Sequence, residues 1–311
     1  MKTFPLPGTG LTVPAVVAGM MRIQDKTDAE IRALVEAALD SGITFFDHAD
    51  IYGSAPAHGC ERRFAEALRL TPSQRAGLVL QTKAGIVKDG PYFDFSYDHL
   101  IEAVEGSLAA LGTDYVDILL LHRPDALVEP EEVARAIDHL AASGKVLHFG
   151  VSNHTPAQIE LLRRWVTRPL VANQLQLSIT HAPLITQGMA MNMGAADQSV
   201  DRTLGTLDYC RLHDITVQAW SPYQAGFFTG PFLGNPGYAE LNAVIDQLAG
   251  QYGVTAEGIA TAWLTRHPAQ LQVVLGTTNP DRVRAAAAGS DIVLTRQEWY
   301  ELYRAAGHLV P

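Results

Sequence analysis

Four side chains in this chain of 311 residues are of the types that together move a proton to or from a carbonyl oxygen: Asp47, Tyr52, Lys83 and His122. A phenol with an ordinary pKa of about 10 is a poor acid–base group at neutral pH. An ammonium about 4 Å away favours its phenolate by roughly 4 kcal/mol at an effective dielectric near 20. Lys83 is therefore expected to bring the Tyr52 pKa down toward working pH. An aspartate beside the lysine would hold it in place and keep it charged, and a histidine opposite could donate a hydrogen bond to the carbonyl oxygen. Such a group polarises a carbonyl and protonates it as hydride arrives at carbon. No side chain supplies hydride, so the chemistry calls for a redox cofactor.

For these residues to meet, each must close a strand on the same rim. Eight short runs rich in Val, Ile, Leu and Phe lie at 16–20, 43–49, 78–83, 116–122, 146–152, 171–177, 216–220 and 271–275. Most are continuously apolar, the pattern of parallel strands covered on both faces. Polar residues sit at or after their ends: Asp47 and Tyr52, Lys83, His122, Ser152 and Asn153, Gln174, Trp220 with Ser221 and Pro222, and Gly276 with Thr277 and Thr278. Helical patterns fill the gaps. One opens at Thr27 and stops at Ser41-Gly42, one covers 97–111 before Gly112, one covers 131–142 before Ser143-Gly144, and Thr155-Pro156 opens another. Further helices are expected over 199–212, 239–252, 255–265, 280–287 and 295–306.

Eight strand–helix units predict an α/β fold closed into a (β/α)8 TIM barrel, as one domain over 1–311, with chemistry at the C-terminal strand ends. An N-terminal β-hairpin is expected over 4–13 and an extra C-terminal helix after the last strand. A doubly wound sheet would want a glycine fingerprint after its first strand. Gly8-x-Gly10-x-x-Val13 lacks the third glycine and precedes the first strong strand.

Composition narrows the partners. Lys plus Arg is 23 against 33 Asp plus Glu, a net charge of −10. That balance argues against nucleic acid and against anionic membrane surfaces, both of which want basic faces. An apolar share of 47% and a charged share of 18% exclude a disordered chain. Only Cys60 and Cys210 are present, which reads as reducing cytoplasm rather than a disulfide framework. No signal-type apolar core opens the sequence and no run is long enough to span a membrane. A monomer acting on a small molecule is the default expectation.

The chain resembles the aldo-keto reductase family along nearly its whole length. The resemblance is carried, in order, by 47–53 (DHADIYG), Thr82-Lys83, 119–124 (LLLHRP), 144–153 (GKVLHFGVSN), Asn173-Gln174, 219–222 (AWSP) and 276–282 (GTTNPDR). It implies a (β/α)8 fold, an NADP(H) cofactor and reduction of an aldehyde or ketone. Residue by residue, it implies that Tyr52 is the general acid/base, that Lys83 and Asp47 tune it, and that His122 orients the carbonyl. Ser152, Asn153 and Gln174 match positions holding the nicotinamide carboxamide, and Trp220 the aromatic ring stacked on the nicotinamide. Ser221 and Pro222 begin the loop over the pyrophosphate. Gly276, Thr277, Thr278 and Arg282 match the adenosine-phosphate segment, with Arg282 the partner for a 2′-phosphate. Three departures stand out. Gly276-Thr277 replaces a frequent Lys-Ser, Ala286 replaces a polar adenine contact, and Met20-Met21-Arg22 follows Gly19. The first two remove polar reach and leave NAD(H) open as a second cofactor.

Two other classes compete. Asp47, His48, Asp50, His58 and Cys60 could ligate the metal of a hydrolase. An extended strand, however, turns His48 away from Asp47. A non-catalytic sensor of bound nicotinamide would have little use for all four of the catalytic-type residues. Loops 86–95, 179–198 and 223–238 are expected to choose the substrate, with Tyr92, Phe93, Phe227 and Phe228 lining an apolar pocket. Met189, Met191 and Met193 fall either in that pocket or on a mobile surface loop.

Overall fold

The computed structural model describes residues 1–54, 57–227 and 229–311. Its strands are β1 (Thr3–Pro5), β2 (Thr12–Pro14), β3 (Val16–Gly19), β4 (Phe45–Asp47), β5 (Val79–Ala84), β6 (Ile86–Val87), β7 (Tyr92–Phe93), β8 (Val116–Leu121), β9 (Val146–Ser152), β10 (Leu170–Gln176), β11 (Thr216–Trp220) and β12 (Gln272–Leu275). The first helices are α1 (Asp28–Asp40), α2 (Gly59–Leu68), α3 (Pro72–Ala76), α4 (Tyr97–Leu111), α5 (Pro130–Ala142) and α6 (Pro156–Arg163). They continue as α7 (Pro183–Met189), α8 (Thr206–Leu212), α9 (Ala239–Tyr252), α10 (Ala256–Thr265), α11 (Pro280–Gly289) and α12 (Arg296–Ala305).

Each of the eight apolar runs forms one strand of a closed, all-parallel barrel in the order β3-β4-β5-β8-β9-β10-β11-β12. Alternate side chains divide it into two cores. Val16, Ala18, Phe46, Leu80, Leu119 and Val217 point outward into one apolar layer under the helices. Val17, Phe45, Ile118, Leu120, Ala172 and Val274 point inward. The expected hairpin is β1 paired with β2, and its Phe4 and Val13, with Leu6, join that inner cluster and plug the N-terminal end of the barrel. The C-terminal end is thereby left as the open mouth. The side helix α12 seals the outer layer: Trp299 stacks on Trp263 of α10 at 4.8 Å, and each indole N–H donates to the other's backbone carbonyl.

Helix limits follow local chemistry. Thr27 and Glu30 form a reciprocal capping box at the start of α1, and Gly112 ends α4 in the left-handed region. The expected helix over 199–212 is corrected to α8 alone. The Asp201 carboxylate accepts from the N–H groups of Thr203 and Leu204, and Leu204 and Gly205 both have positive φ, so a turn displaces the first helical turns. Helices α2, α3 and α7 were not anticipated.

Candidate active site

Inward parity at the strand ends builds the mouth. Asp47 ends β4, Lys83 lies one residue before the end of β5, and His122 follows β8 directly. Tyr52 comes from the loop after β4, which is closed on itself by His58 N–H donating to Asp50 O and Cys60 N–H donating to Tyr52 O. Lys83 has no solvent exposure. Its ammonium donates to Asp47 Oδ2 at 2.7 Å, His48 O at 2.8 Å and the Tyr52 hydroxyl at 3.0 Å. The Tyr52 and His122 rings meet edge to face with centroids 6.0 Å apart.

The electrostatics correct one expectation. Burial pushes the Tyr52 phenol up, Lys83 pulls it down, and Asp47 works with burial, so the phenol stays above its ordinary value instead of falling toward neutrality. At neutral pH Tyr52 is a protonated donor. Burial opposes the Lys83 charge, but Asp47 and Tyr52 outweigh it and hold the ammonium above its usual range. Burial, then Lys83 and Arg123, drives the His122 imidazolium well below the ordinary range, so His122 is neutral. Its buried Nδ1 has no partner among the described residues. A proton on Nε2 therefore leaves an unpaired acceptor inside rather than an unpaired N–H.

Beneath the catalytic group lies an array that the strand runs only hinted at. Gln81, Gln174, Gln218 and Gln272 all face inward from β5, β10, β11 and β12 and are buried. Asp47 Oδ1 accepts from Gln81 Nε2 at 2.6 Å and Gln174 Nε2 at 3.0 Å. Both amides also donate to Gln218 Oε1, and Gln218 Nε2 donates to Gln81 Oε1 and Gln272 Oε1. Gln272 Nε2 completes the run by donating to Pro14 O beside the hairpin plug. A carboxylate only accepts, so it orients every amide behind it. The sequence signal was four glutamines at inward positions of otherwise apolar strands. Replacing Gln218 by Leu strands amide groups of Gln81, Gln174 and Gln272, at about 1–3 kcal/mol for each buried unpaired group. Urea unfolding of Gln218→Leu is expected to show a loss of at least about 2 kcal/mol, and an unchanged midpoint would show that Asp47 is held without the array.

A cavity of about 660 Å³ opens over this floor. It is lined by Asp47, Tyr52 and His122 and by every expected cofactor position: Ser152, Asn153, Gln174, Trp220, Ser221, Pro222, Gly276, Thr277, Thr278 and Arg282. Lys83 sits just below. Gly19 is required at the cavity floor, since a Cβ there would run into Leu275 O. Asn153 and Ser221 hold positive φ, uncommon for residues with side chains and typical of functional loops. Asn153 braces three strand ends. Its Oδ1 accepts from Trp220 Nε1 at 3.1 Å, and its Nδ2 donates to Ser152 Oγ at 2.8 Å and His122 O at 3.4 Å. Ser152 Oγ in turn donates to Gln174 O.

Three lining cations and an acid complete the walls. Arg282 pairs with Glu257 at 3.4 Å, Arg22 donates to Gly276 O at 2.5 Å, and Arg123 lies over the Trp220 ring at 5.8 Å. Arg22 and Arg123 had no assigned role in the sequence reading, although Arg22 stood in an unexpected segment and Arg123 directly follows His122. Ala286 is fully buried in α11 and faces the core, so its lack of polar reach costs the cavity nothing.

Several expectations move elsewhere. Phe227 lines the cavity, Phe93 lines a hollow beside it, Tyr92 is exposed and lines neither, and Phe228 lies outside the described residues. Met189 packs against the outer core, and none of Met189, Met191 and Met193 lines the cavity. His48 points away from Asp47 and packs edge-on against Phe64 of α2. Among the described residues no group of three or more His, Cys, Asp or Glu is placed to hold a metal ion. No described helix is long and apolar enough to cross a membrane.

Comparisons with known proteins identify the family and the fold. The Aldo/keto reductase family model matches residues 15–306. A 6-dehydroglucose reductase of Agrobacterium fabrum is 36% identical over 308 residues, covering 95% of each chain. The oxidoreductase YdhF of Escherichia coli is 36% identical over 305 residues, covering 95% of this chain and 94% of its own. The crystal structure of a thermostable aldo-keto reductase with the inhibitor epalrestat superposes with a TM-score of 0.77 at 23% identity, over 98% of this chain and all of that one.

Proposed function

The chain belongs to the aldo/keto reductase family, an NAD(P)H-dependent oxidoreductase of small carbonyl compounds, and we propose that it reduces an aldehyde or ketone with NADPH, taking the proton from Tyr52. The observation that carries this reading is the Tyr52 hydroxyl seated 3.0 Å from the Lys83 ammonium at the mouth of the barrel, on the wall of the 660 Å³ cavity.

The donor set of the cavity fits the cofactor. Amide and hydroxyl groups of Ser152, Asn153 and Gln174 suit a carboxamide: Gln174 has committed its nitrogen to Asp47 and Gln218 and keeps its carbonyl oxygen, and Asn153 Oδ1 keeps a second lone pair. Arg22 and Arg282, near Gly276 and the start of α11, suit phosphates. The reduced nicotinamide supplies hydride when bound. The protein's own work is proton handling. A carbonyl oxygen between the Tyr52 hydroxyl and His122 Nε2 accepts from both, which polarises the carbon. His122 is neutral and therefore orients without being the acid. Tyr52 passes its proton to the oxygen as alkoxide character develops, and the phenolate left behind is stabilised by Lys83. Asp47 keeps that ammonium charged and fixed.

NADPH-dependent turnover of an aldehyde panel tests the reading, and binding without turnover would point to a sensor instead. Arg282→Ala is expected to weaken NADPH binding by about 10–100-fold, the value of hydrogen bonds to a charged group, with little change for NADH. Fluorescence titration with both cofactors checks this, and equal losses would show that Arg282 does not read the 2′-phosphate.

A further inference from the structure

A second hollow adjoins the cavity, walled by Ile86, Phe93, Trp220 and Phe227 and sharing Asn153 and Arg123 with it. Two of its donors have no acceptor among the described residues. Arg123, half-buried beside His122, has no carboxylate within ion-pair distance and no hydrogen bond among the described residues, and its guanidinium lies over the Trp220 ring at 5.8 Å. Buried arginine elsewhere in the chain is treated differently: Arg75 meets Asp117 at 2.8 Å and three further oxygens. Gln176 closes β10 two residues beyond Gln174, on the same inward face, and its Nε2 is buried without a partner among the described residues. A donor taken out of water and left without an acceptor carries a desolvation penalty that a ligand oxygen relieves. The buried Gln176 amide and the half-buried Arg123 guanidinium converge on one aromatic-walled hollow, next to the residue that would orient the carbonyl, and are arranged for a ligand that brings its own acceptors.

We propose that Arg123 and Gln176 are the specificity-determining residues of the site and that they select a carbonyl compound bearing acceptor oxygens close to its carbonyl carbon. This rests on the reductase reading above, in which Tyr52 and His122 hold the carbonyl oxygen. Of the positions expected to hold the cofactor only Asn153 and Trp220 border the hollow, so the rest of it is left to the substrate. A guanidinium fork donates to two oxygens in one plane, and the amide adds a third donor. The aromatic walls cover the C–H faces of the carbon chain. Hydroxyls and a carboxylate share this acceptor chemistry, and neither an alkyl nor an aryl aldehyde provides it. Rejection of such aldehydes follows because they would bury both donors unpaired.

The test compares kcat/KM for D-glyceraldehyde with that for propanal, and for succinic semialdehyde with that for butanal, in the wild type, Arg123→Met and Gln176→Leu. The wild type is expected to prefer the oxygenated member of at least one pair by ten-fold or more. Both variants are expected to reduce that ratio at least ten-fold, chiefly through KM. The pair that shows the effect identifies the ligand as hydroxyl or carboxylate. A wild type without preference in either pair, or variants that lower both members of a pair equally, would overturn the proposal. Turnover of none of the four probes would strike the reductase reading itself, and this assignment with it.

Discussion

Tyr52→Phe is expected to lower kcat for carbonyl reduction by about 10²–10⁴-fold, the usual worth of a positioned general acid, while NADPH binds as in the wild type. Only the hydroxyl is removed. The ring keeps its place over Lys83, whose ammonium lies 4.8 Å from the ring centroid and retains Asp47 Oδ2 and His48 O as acceptors. The loop that carries residue 52 is closed by backbone hydrogen bonds, which the substitution leaves intact. Loss is therefore confined to the chemical step. Steady-state rates together with a fluorescence titration of NADPH separate the two effects. Turnover within a few-fold of wild type would take Tyr52 out of the mechanism.

Lys83→Met is expected to damage both activity and stability. The ammonium is wholly buried and answers three acceptors at once. Its removal leaves Asp47 Oδ2 and His48 O without a donor in the barrel interior. Removing one partner of a buried ion pair costs about 3–5 kcal/mol. The lower end is expected here, because Asp47 Oδ1 still accepts from Gln81 and Gln174. On the chemical side, a phenolate about 3 Å from an ammonium gains roughly 5 kcal/mol at an effective dielectric near 20. Without it, proton release from Tyr52 is as impaired as in Tyr52→Phe. Urea unfolding and kcat measure the two losses. The double variant Asp47→Asn/Lys83→Met is expected to recover part of the stability and none of the activity. Wild-type stability in Lys83→Met would show that Asp47 does not need the ion pair.

The barrel and its rim were legible from the sequence because a closed parallel sheet buries both strand faces. Continuous apolar runs such as Val116–Leu121 and the polar residues at their ends then mark strand and mouth together. The strand parity that separates Asp47 from His48 was legible for the same reason. Three things were not. Loop chemistry hid the break at Leu204-Gly205, where one aspartate side chain outcompetes a helical pattern. The direction of the Tyr52 shift depends on how completely the phenol is desolvated, which residue types do not reveal. The glutamine array and the unpaired donors of Arg123 and Gln176 arise from contacts between strands far apart in the chain, such as Gln81 with Gln218.

The most direct test of Tyr52 as proton donor is the pH dependence of kcat in both directions, carbonyl reduction with NADPH and alcohol oxidation with NADP+. Reduction needs the phenol, which persists below a folded-state pKa that burial has raised above the ordinary tyrosine value. The expected reduction rate is level through neutral pH and falls only in strongly alkaline solution, while the oxidation rate, which needs the phenolate, climbs throughout. A reduction rate that decays as pH rises through the ordinary histidine range would instead place the transferred proton on His122 and contradict the assignment.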